Sequence, residues 1–259
     1  MNLLIPSKTP KSDDAFGQAL WDFYKNRNIT TSHVIERDDG YIDTPQSFCL
    51  EQYFLDYTSW SYIEKEAIKY SQGKVLDIGC GAGKHSLYLQ NKNHRVLAID
   101  NSPLTIRVAK SRGVKHAQLL SFEDTGKLKP SKFDTVIMFG NNFGLFGNFN
   151  KAHNQLKILH DITSQNGIII ATTIDPYKTK SAEHKEYHKY NRMKGNSGGQ
   201  ARIRIRYKKL IGPWFDYLLV SRDELKQILS GTGWKIKKII REKTSPVYAM
   251  VLEKSSFDE

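Results

Sequence analysis

The chain has 259 residues, 39% of them hydrophobic, with 39 lysines and arginines against 27 aspartates and glutamates and a formal net charge of +12. That length buries an ample core, and the longest apolar runs, such as residues 167–171, are far too short to span a bilayer. Two cysteines, Cys49 and Cys80, give neither a metal spacing nor a disulfide framework, and residues 1–6 lack the charged region and apolar core of a signal peptide. A cytoplasmic location with no membrane partner is the expectation.

In chain order, residues 14–26 read as a helix with Phe16, Leu20, Phe23 and Tyr24 on one side. Residues 36–42 read as a turn or small hairpin around Asp39-Gly40. A second helix covers residues 60–71, with Ile63, Ala67 and Ile68 at helical spacing. Residues 1–72 thus form an N-terminal helical extension ahead of a core at 73–259. There, strands at 74–78, 95–100, 117–120, 133–139 and 167–173 alternate with helices at 83–91, 103–112 and 150–162. Such alternation predicts a parallel sheet with helices on both faces and ligands beyond the carboxyl ends of the strands. A helix at 221–232 follows, with Ser221 as N-cap and Glu224 at the capping-box position. Two strands, 234–241 and 246–253, close the chain. The piece between, residues 176–220, is an insertion after the fifth core strand.

The stretch Val75-Leu-Asp-Ile-Gly-Cys-Gly-Ala-Gly83 joins a strand to a helix through three glycines. Glycine is needed where the backbone takes positive φ or must approach a ligand closely, and the helix start presents unpaired N–H groups. The next strand ends on Asp100, placed to receive the two hydroxyls of a ribose. Asp77 inside the turn would repel a pyrophosphate but could accept hydrogen bonds from an ammonium group. The order D-x-G-x-G-x-G also lacks the two-residue gap of the dinucleotide pattern. A ligand with a ribose and a free amino acid, such as S-adenosylmethionine, fits these residues better than one with phosphates.

The sequence here resembles the class I S-adenosylmethionine-dependent methyltransferases. The resemblance rests on the glycine stretch, on Val96-Leu-Ala-Ile-Asp100 followed by Asn101-Ser102-Pro103, and on Phe133-Asp-Thr-Val-Ile-Met-Phe-Gly140. More narrowly it is similar to a mostly uncharacterised prokaryotic group sharing Glu36-Arg-Asp-Asp-Gly-Tyr, Gly140-Asn-Asn-Phe-Gly-Leu, Asp175-Pro-Tyr and Gly212-Pro-Trp-Phe-Asp-Tyr. It implies a Rossmann-like α/β fold with a seven-stranded, mostly parallel sheet. The last two strands would form an antiparallel edge hairpin, and the insertion after strand 5 would be substrate-binding structure. It also implies cofactor contacts at Asp77, Gly79, Gly81, Gly83, Asp100 and Asn101, with the adenine at Ser121-Phe122, where Ser121 replaces the usual acid. Cys80 lies within that turn as a small side chain. Gly140 and Asn141 would face the methionine part, with Asn142 and Phe143 beyond them towards the acceptor. Tyr53 and Tyr57 either bring an aromatic hydroxyl to the cofactor or simply pack.

The insertion carries the charge: between residues 178 and 209 eleven lysines and arginines face only Glu183 and Glu186. Strict alternation in Arg202-Ile-Arg-Ile-Arg-Tyr-Lys208 predicts a strand with Arg202, Arg204, Arg206 and Lys208 on one face. A turn near Gly212-Pro213 makes it a hairpin over the site. Two readings of the stripe stay open, a platform for an anionic acceptor or RNA and a solvated face. His184 and His188, at helical spacing, and Tyr177 are the candidate bases, and without a third ligand the histidine pair predicts no metal.

The expected chemistry is in-line displacement of an electrophilic methyl, with the protein aligning the partners and excluding water. The Asn/Asp-Pro-Pro-Tyr/Phe and Pro-Cys motifs of nucleic-acid methyltransferases are absent after the fourth strand. A small, anionic acceptor is therefore favoured. The alternatives are a tRNA or rRNA methyltransferase using the 178–209 stretch, and a non-catalytic S-adenosylmethionine-binding protein. Oligomeric state is not legible.

Overall fold

The structure, a computed structural model, describes residues 13–43 and 49–255; the first six residues, read above for a leader, lie outside these. Ahead of the core come α1 (Ala15–Lys25), β1 (Val34–Arg37) and α2 (Tyr62–Ile68). The core follows as β2 (Lys74–Ile78), α3 (Lys84–Asn91), β3 (Arg95–Asp100), α4 (Pro103–Ser111), β4 (Ala117–Leu119), β5 (Phe133–Met138), α5 (Phe149–Ile162) and β6 (Thr163–Ile174). The insertion holds α6 (Ala182–Met193), β7 (Gln200–Tyr207), β8 (Leu210–Ile211) and β9 (Phe215–Leu218), and α7 (Arg222–Leu229), β10 (Trp234–Arg241) and β11 (Val247–Lys254) end the fold.

The main sheet has seven strands in the order β10-β11-β6-β5-β2-β3-β4. β4, β3, β2, β5 and β6 run parallel, while β11 is antiparallel to both β6 and β10. This is the expected Rossmann-like sheet with its edge hairpin. Strand parity divides the core. Leu76 and Ile78 point to the face covered by α5 and α7, where Leu156, Leu159 and Leu225 pack. Val75 points to the other, covered by Trp60 just ahead of α2 and by Ile63, Ala67 and Leu89 from α2 and α3. Asp77 shares the parity of Val75, so its carboxyl lies beneath α3 and accepts from the Ser86 hydroxyl at 2.6 Å.

Helix ends follow local chemistry. Ser61 and Ser221 form complete capping boxes with Glu64 and Glu224, which is why α2 starts at Tyr62 and not at Trp60. Asp14 caps α1 through the Gly17 N–H at 2.9 Å and also accepts from the Ser102 hydroxyl at 2.8 Å, tying the start of α1 to that of α4.

The N-terminal extension is not purely helical. β1 pairs antiparallel with β7 in the insertion, with Glu36 opposite Arg204, and β8 and β9 pair with β7 as well. Segments about 170 residues apart thus build one four-stranded sheet over the carboxyl ends of the main sheet. The insertion is also more than a hairpin, since α6 precedes β7.

Candidate active site

Gly79, Gly81 and Gly83 all take positive φ, at 69°, 54° and 78°, a region L side chains rarely occupy. A Cβ on Gly79 would lie 2.4 Å from Asn142 Nδ2, because that amide donates to the carbonyls of Ile78 (3.0 Å) and Gly79 (2.9 Å). Asn142 therefore braces the glycine turn. The Gly81 N–H donates to Asp100 Oδ2 at 3.1 Å and the Ser102 N–H to Oδ1 at 3.0 Å. Burial pushes the Asp100 carboxyl up to about 6.

A cavity of about 1150 Å³ opens between these turns, α6 and the small sheet, larger than the ~300–1,000 Å³ typical of one small-ligand site. Of the cofactor-side residues predicted from sequence, Tyr53, Gly79, Cys80, Gly81, Asp100, Asn101, Ser121, Phe122, Gly140 and Asn141 line it, as do Asn142, Arg202, His184 and His188 from the residues predicted for the acceptor. A Cβ on Gly140 would meet nothing within 4 Å, so backbone faces open cavity there. The Asn141 N–H donates to Thr172 Oγ1 (2.8 Å) and its carbonyl accepts from the Tyr217 hydroxyl (2.6 Å).

Seven predicted site residues are not on the cavity wall. Asp77 is turned away by strand parity. Gly83 caps α3 and packs against Val114. Phe143 is fully buried against Phe146. Tyr57 stacks on Tyr88 at 4.6 Å, and the Tyr177 hydroxyl donates to Glu224 at 2.5 Å. Arg204 and Arg206 both pair with Glu36, at 2.7 and 2.9 Å, and Arg204 covers the Trp214 ring. The opposite side of β7 faces the cavity, through Ile203 and Ile205. The basic stripe is thus largely neutralised by remote acids, with Lys208 on Asp22 and Arg202 on Asp216.

Charge on the wall runs the other way. Asp13, Asp14, Asp43, Glu64, Asp100, Glu123, Asp216 and Glu242 outnumber Arg37, Lys84, Lys151 and Arg202. A net acidic cavity suits a cationic ligand better than an anion.

Several wall residues escaped the sequence reading. Glu64 accepts from Lys84 (2.8 Å) and His85 (3.1 Å); burial pushes its carboxyl up, but these hydrogen bonds and the Lys84 charge outweigh it and hold the carboxyl far below the usual range. The Ser61–Glu64 capping-box spacing was a visible signal. Arg37 grips Asp39 bidentately and donates to His184 Nδ1 at 2.9 Å. A guanidinium only donates, so Nδ1 accepts and His184 carries its proton on Nε2. Tyr217 ends the Gly212-Pro-Trp-Phe-Asp-Tyr stretch, a signal that pointed to no role for its hydroxyl.

Comparison with known proteins agrees with this geometry. A SAM-dependent methyltransferase from Bacteroides fragilis, solved in complex with S-adenosyl-L-homocysteine, is 26% identical and superposes with a TM-score of 0.80 over 96% of this chain and 98% of its own. A methyltransferase from Clostridium acetobutylicum shares the fold at 14% identity, a TM-score of 0.56, and coverage of 78% and 93%. The methyltransferase domain family matches residues 69–233. This chain belongs to that family. With its seven-stranded sheet it is a class I S-adenosylmethionine-dependent methyltransferase. The ubiquinone biosynthesis O-methyltransferase of Xylella fastidiosa is 34% identical over 80 residues, 29% of this chain and 32% of its own length. A probable ribosomal RNA small subunit methyltransferase A of Methanosphaera stadtmanae is 27% identical over 111 residues, 41% and 40% of the two chains. The methyltransferase thus spans only about a third to two fifths of these curated relatives.

Among the described residues of the methyltransferase no helix is long and apolar enough to cross a membrane, and no three His, Cys, Asp or Glu side chains are grouped to hold a metal ion. Its titration behaviour is set mainly by burial. His33, His85, His160, His184 and His188 are all pushed down, so the folded state binds fewer protons than the unfolded one. Their stabilising contribution is lost as pH falls below about 6.5. Asp77 and Asp100 act oppositely. Raised to about 7 and about 6, they favour the fold at low pH and lose that contribution as pH rises through those values. Asp77→Asn is therefore expected to raise Tm relative to the natural protein more at pH 8 than at pH 5. An equal offset in melting curves at both pH values would contradict this account.

Proposed function

We propose that this methyltransferase acts on a small-molecule acceptor enclosed between α6, the β7–β9 sheet and the carboxyl ends of β5 and β6. The observation that carries the reading is the orientation of β7: its isoleucines face the cavity while Arg204 and Arg206 are spent on Glu36. S-adenosylmethionine supplies a methyl made electrophilic by its sulfonium, and the acidic wall suits that cation. Asp100 receives the ribose hydroxyls, and Asn101, Ser121 and Phe122 lie on the adenine side. We assign the amino and carboxylate groups to Gly79, Glu64 and Lys84, which also line the cavity; Asp77, buried beneath α3 and accepting from Ser86, does not line it. Tyr53 closes the cofactor side, with its hydroxyl pushed up to about 12 by burial and so fully protonated.

Lys84→Met is expected to weaken S-adenosylhomocysteine binding by about 1.5–3 kcal/mol, the range for hydrogen bonds to charged groups. Affinity for 5′-methylthioadenosine, which lacks the amino acid end, should stay unchanged. Equal losses for both ligands in calorimetry would move the amino acid away from Lys84.

RNA is the competing acceptor, favoured by the fragmentary likeness to the ribosomal RNA enzyme. A binding titration with tRNA and rRNA across a salt series separates the two. Weak binding with a shallow salt dependence is expected, because Arg202, Arg204, Arg206 and Lys208 of the stripe already have acidic partners. Micromolar affinity with a steep slope would overturn the small-molecule reading.

A further inference from the structure

We propose that the acceptor is an uncharged molecule with a ring-sized apolar body and one polar group, and that His188 is the side chain that hydrogen-bonds this group. The inference rests on the small-molecule reading above and gives its substrate a chemical class.

Ile174, Ile203, Phe215, Trp214 and Tyr187 give the cavity wall an apolar and aromatic stretch. A charged acceptor would need a free counter-charge there. Among the described residues, every lysine and arginine on the wall is already engaged. Arg37 is held by Asp39, Lys84 by Glu64, and Lys151 and Arg202 by Asp216. Asp216 serves both Lys151 and Arg202, but the wall as a whole carries more acids than bases and so offers no net positive field to draw an anion in.

The polar group that remains is His188. It is 8% exposed, lines the cavity, and makes no hydrogen bond among the described residues; its ring meets only the edge of Tyr177, at 5.7 Å. Its ring nitrogens are not sealed from the cavity, so a ligand there can pair with them. His184, one turn earlier, is not equivalent, because Arg37 occupies its Nδ1. Burial first, and then His184, Arg192 and Arg37 against the opposing Glu224, push His188 down to about 4. At neutral pH it is therefore an uncharged ring with one donor and one acceptor, matched to a hydroxyl, amide or carbonyl.

The test uses three probes that share one hydroxylated ring and differ in charge: 4-hydroxybenzamide, 4-hydroxybenzoate and 4-hydroxybenzylamine. Each is titrated by ligand-observed NMR against the natural protein, His188→Leu and His188→Asn, all saturated with S-adenosylhomocysteine. The neutral amide is expected to bind about tenfold more tightly than either charged probe. His188→Leu should lose about tenfold for the amide, whereas His188→Asn, which keeps a donor and an acceptor, should retain most of the affinity. S-adenosylhomocysteine affinity, measured separately, should be unchanged in both variants, which also shows that they fold. A charged probe binding as well as the amide, no binding by any probe, or equal amide binding by His188→Leu each overturns the proposal. Failure of the natural protein to bind S-adenosylhomocysteine would instead strike the methyltransferase reading itself.

Discussion

Asp100→Ala is expected to weaken S-adenosylhomocysteine binding by about 1–3 kcal/mol, roughly 5- to 150-fold. Two effects combine. The carboxylate that would accept the ribose hydroxyls disappears, and the N–H groups of Gly81 and Ser102, which now donate to its two oxygens, lose their acceptor. The glycine turn is then free to drift from the end of β3. Asp100→Asn keeps one acceptor oxygen and should fall between the natural protein and the alanine variant. Isothermal calorimetry on variants with native far-ultraviolet circular dichroism reads this directly. Unchanged affinity in Asp100→Ala would mean that the ribose lies elsewhere.

Gly144→Ala should be strongly disruptive for a single added methyl. The added Cβ would fall 2.2–2.5 Å from three ring atoms of Tyr217, which is part-buried and fixed by its hydroxyl to the Asn141 carbonyl. Overpacking of this kind costs about 1–3 kcal/mol. The ring can yield only by breaking that hydrogen bond, which supports Asn141 at φ 64° beside the open backbone of Gly140. Stability and methyl transfer should therefore fall together. The decisive comparison is the double variant with Tyr217→Ala. Removing the ring removes the clash, so Gly144→Ala should cost far less in that background. Additive losses in chemical denaturation would show that the ring is not the obstacle.

Much of the core was legible because its signals are local. The glycine turn, the β3 strand ending on Asp100 and the Ser221–Glu224 capping box each occupy a few consecutive residues, and each stands where the sequence reading put it. The placement of Asp77 was legible too: period-two alternation alone assigns it to the face of Val75, beneath α3. The small sheet was not legible, because β1 is four residues long and its partner β7 lies about 170 positions away. The same distance hid the fate of the basic stripe. Alternation correctly separated Arg202, Arg204 and Arg206 from Ile203 and Ile205, but which side met the cavity depended on Glu36 and Asp22 from remote segments and on Asp216 of the neighbouring β9. Periodicity tells which residues share a face; it does not tell what that face meets.

The most direct measurement is incubation of the protein with deuterated-methyl S-adenosylmethionine and a whole-cell extract, separated afterwards into small-molecule and RNA fractions for mass spectrometry. The account predicts a deuterated methyl group in the small-molecule fraction, on a neutral compound, with stoichiometric formation of S-adenosylhomocysteine. Label confined to RNA, or no S-adenosylhomocysteine formed, would contradict it.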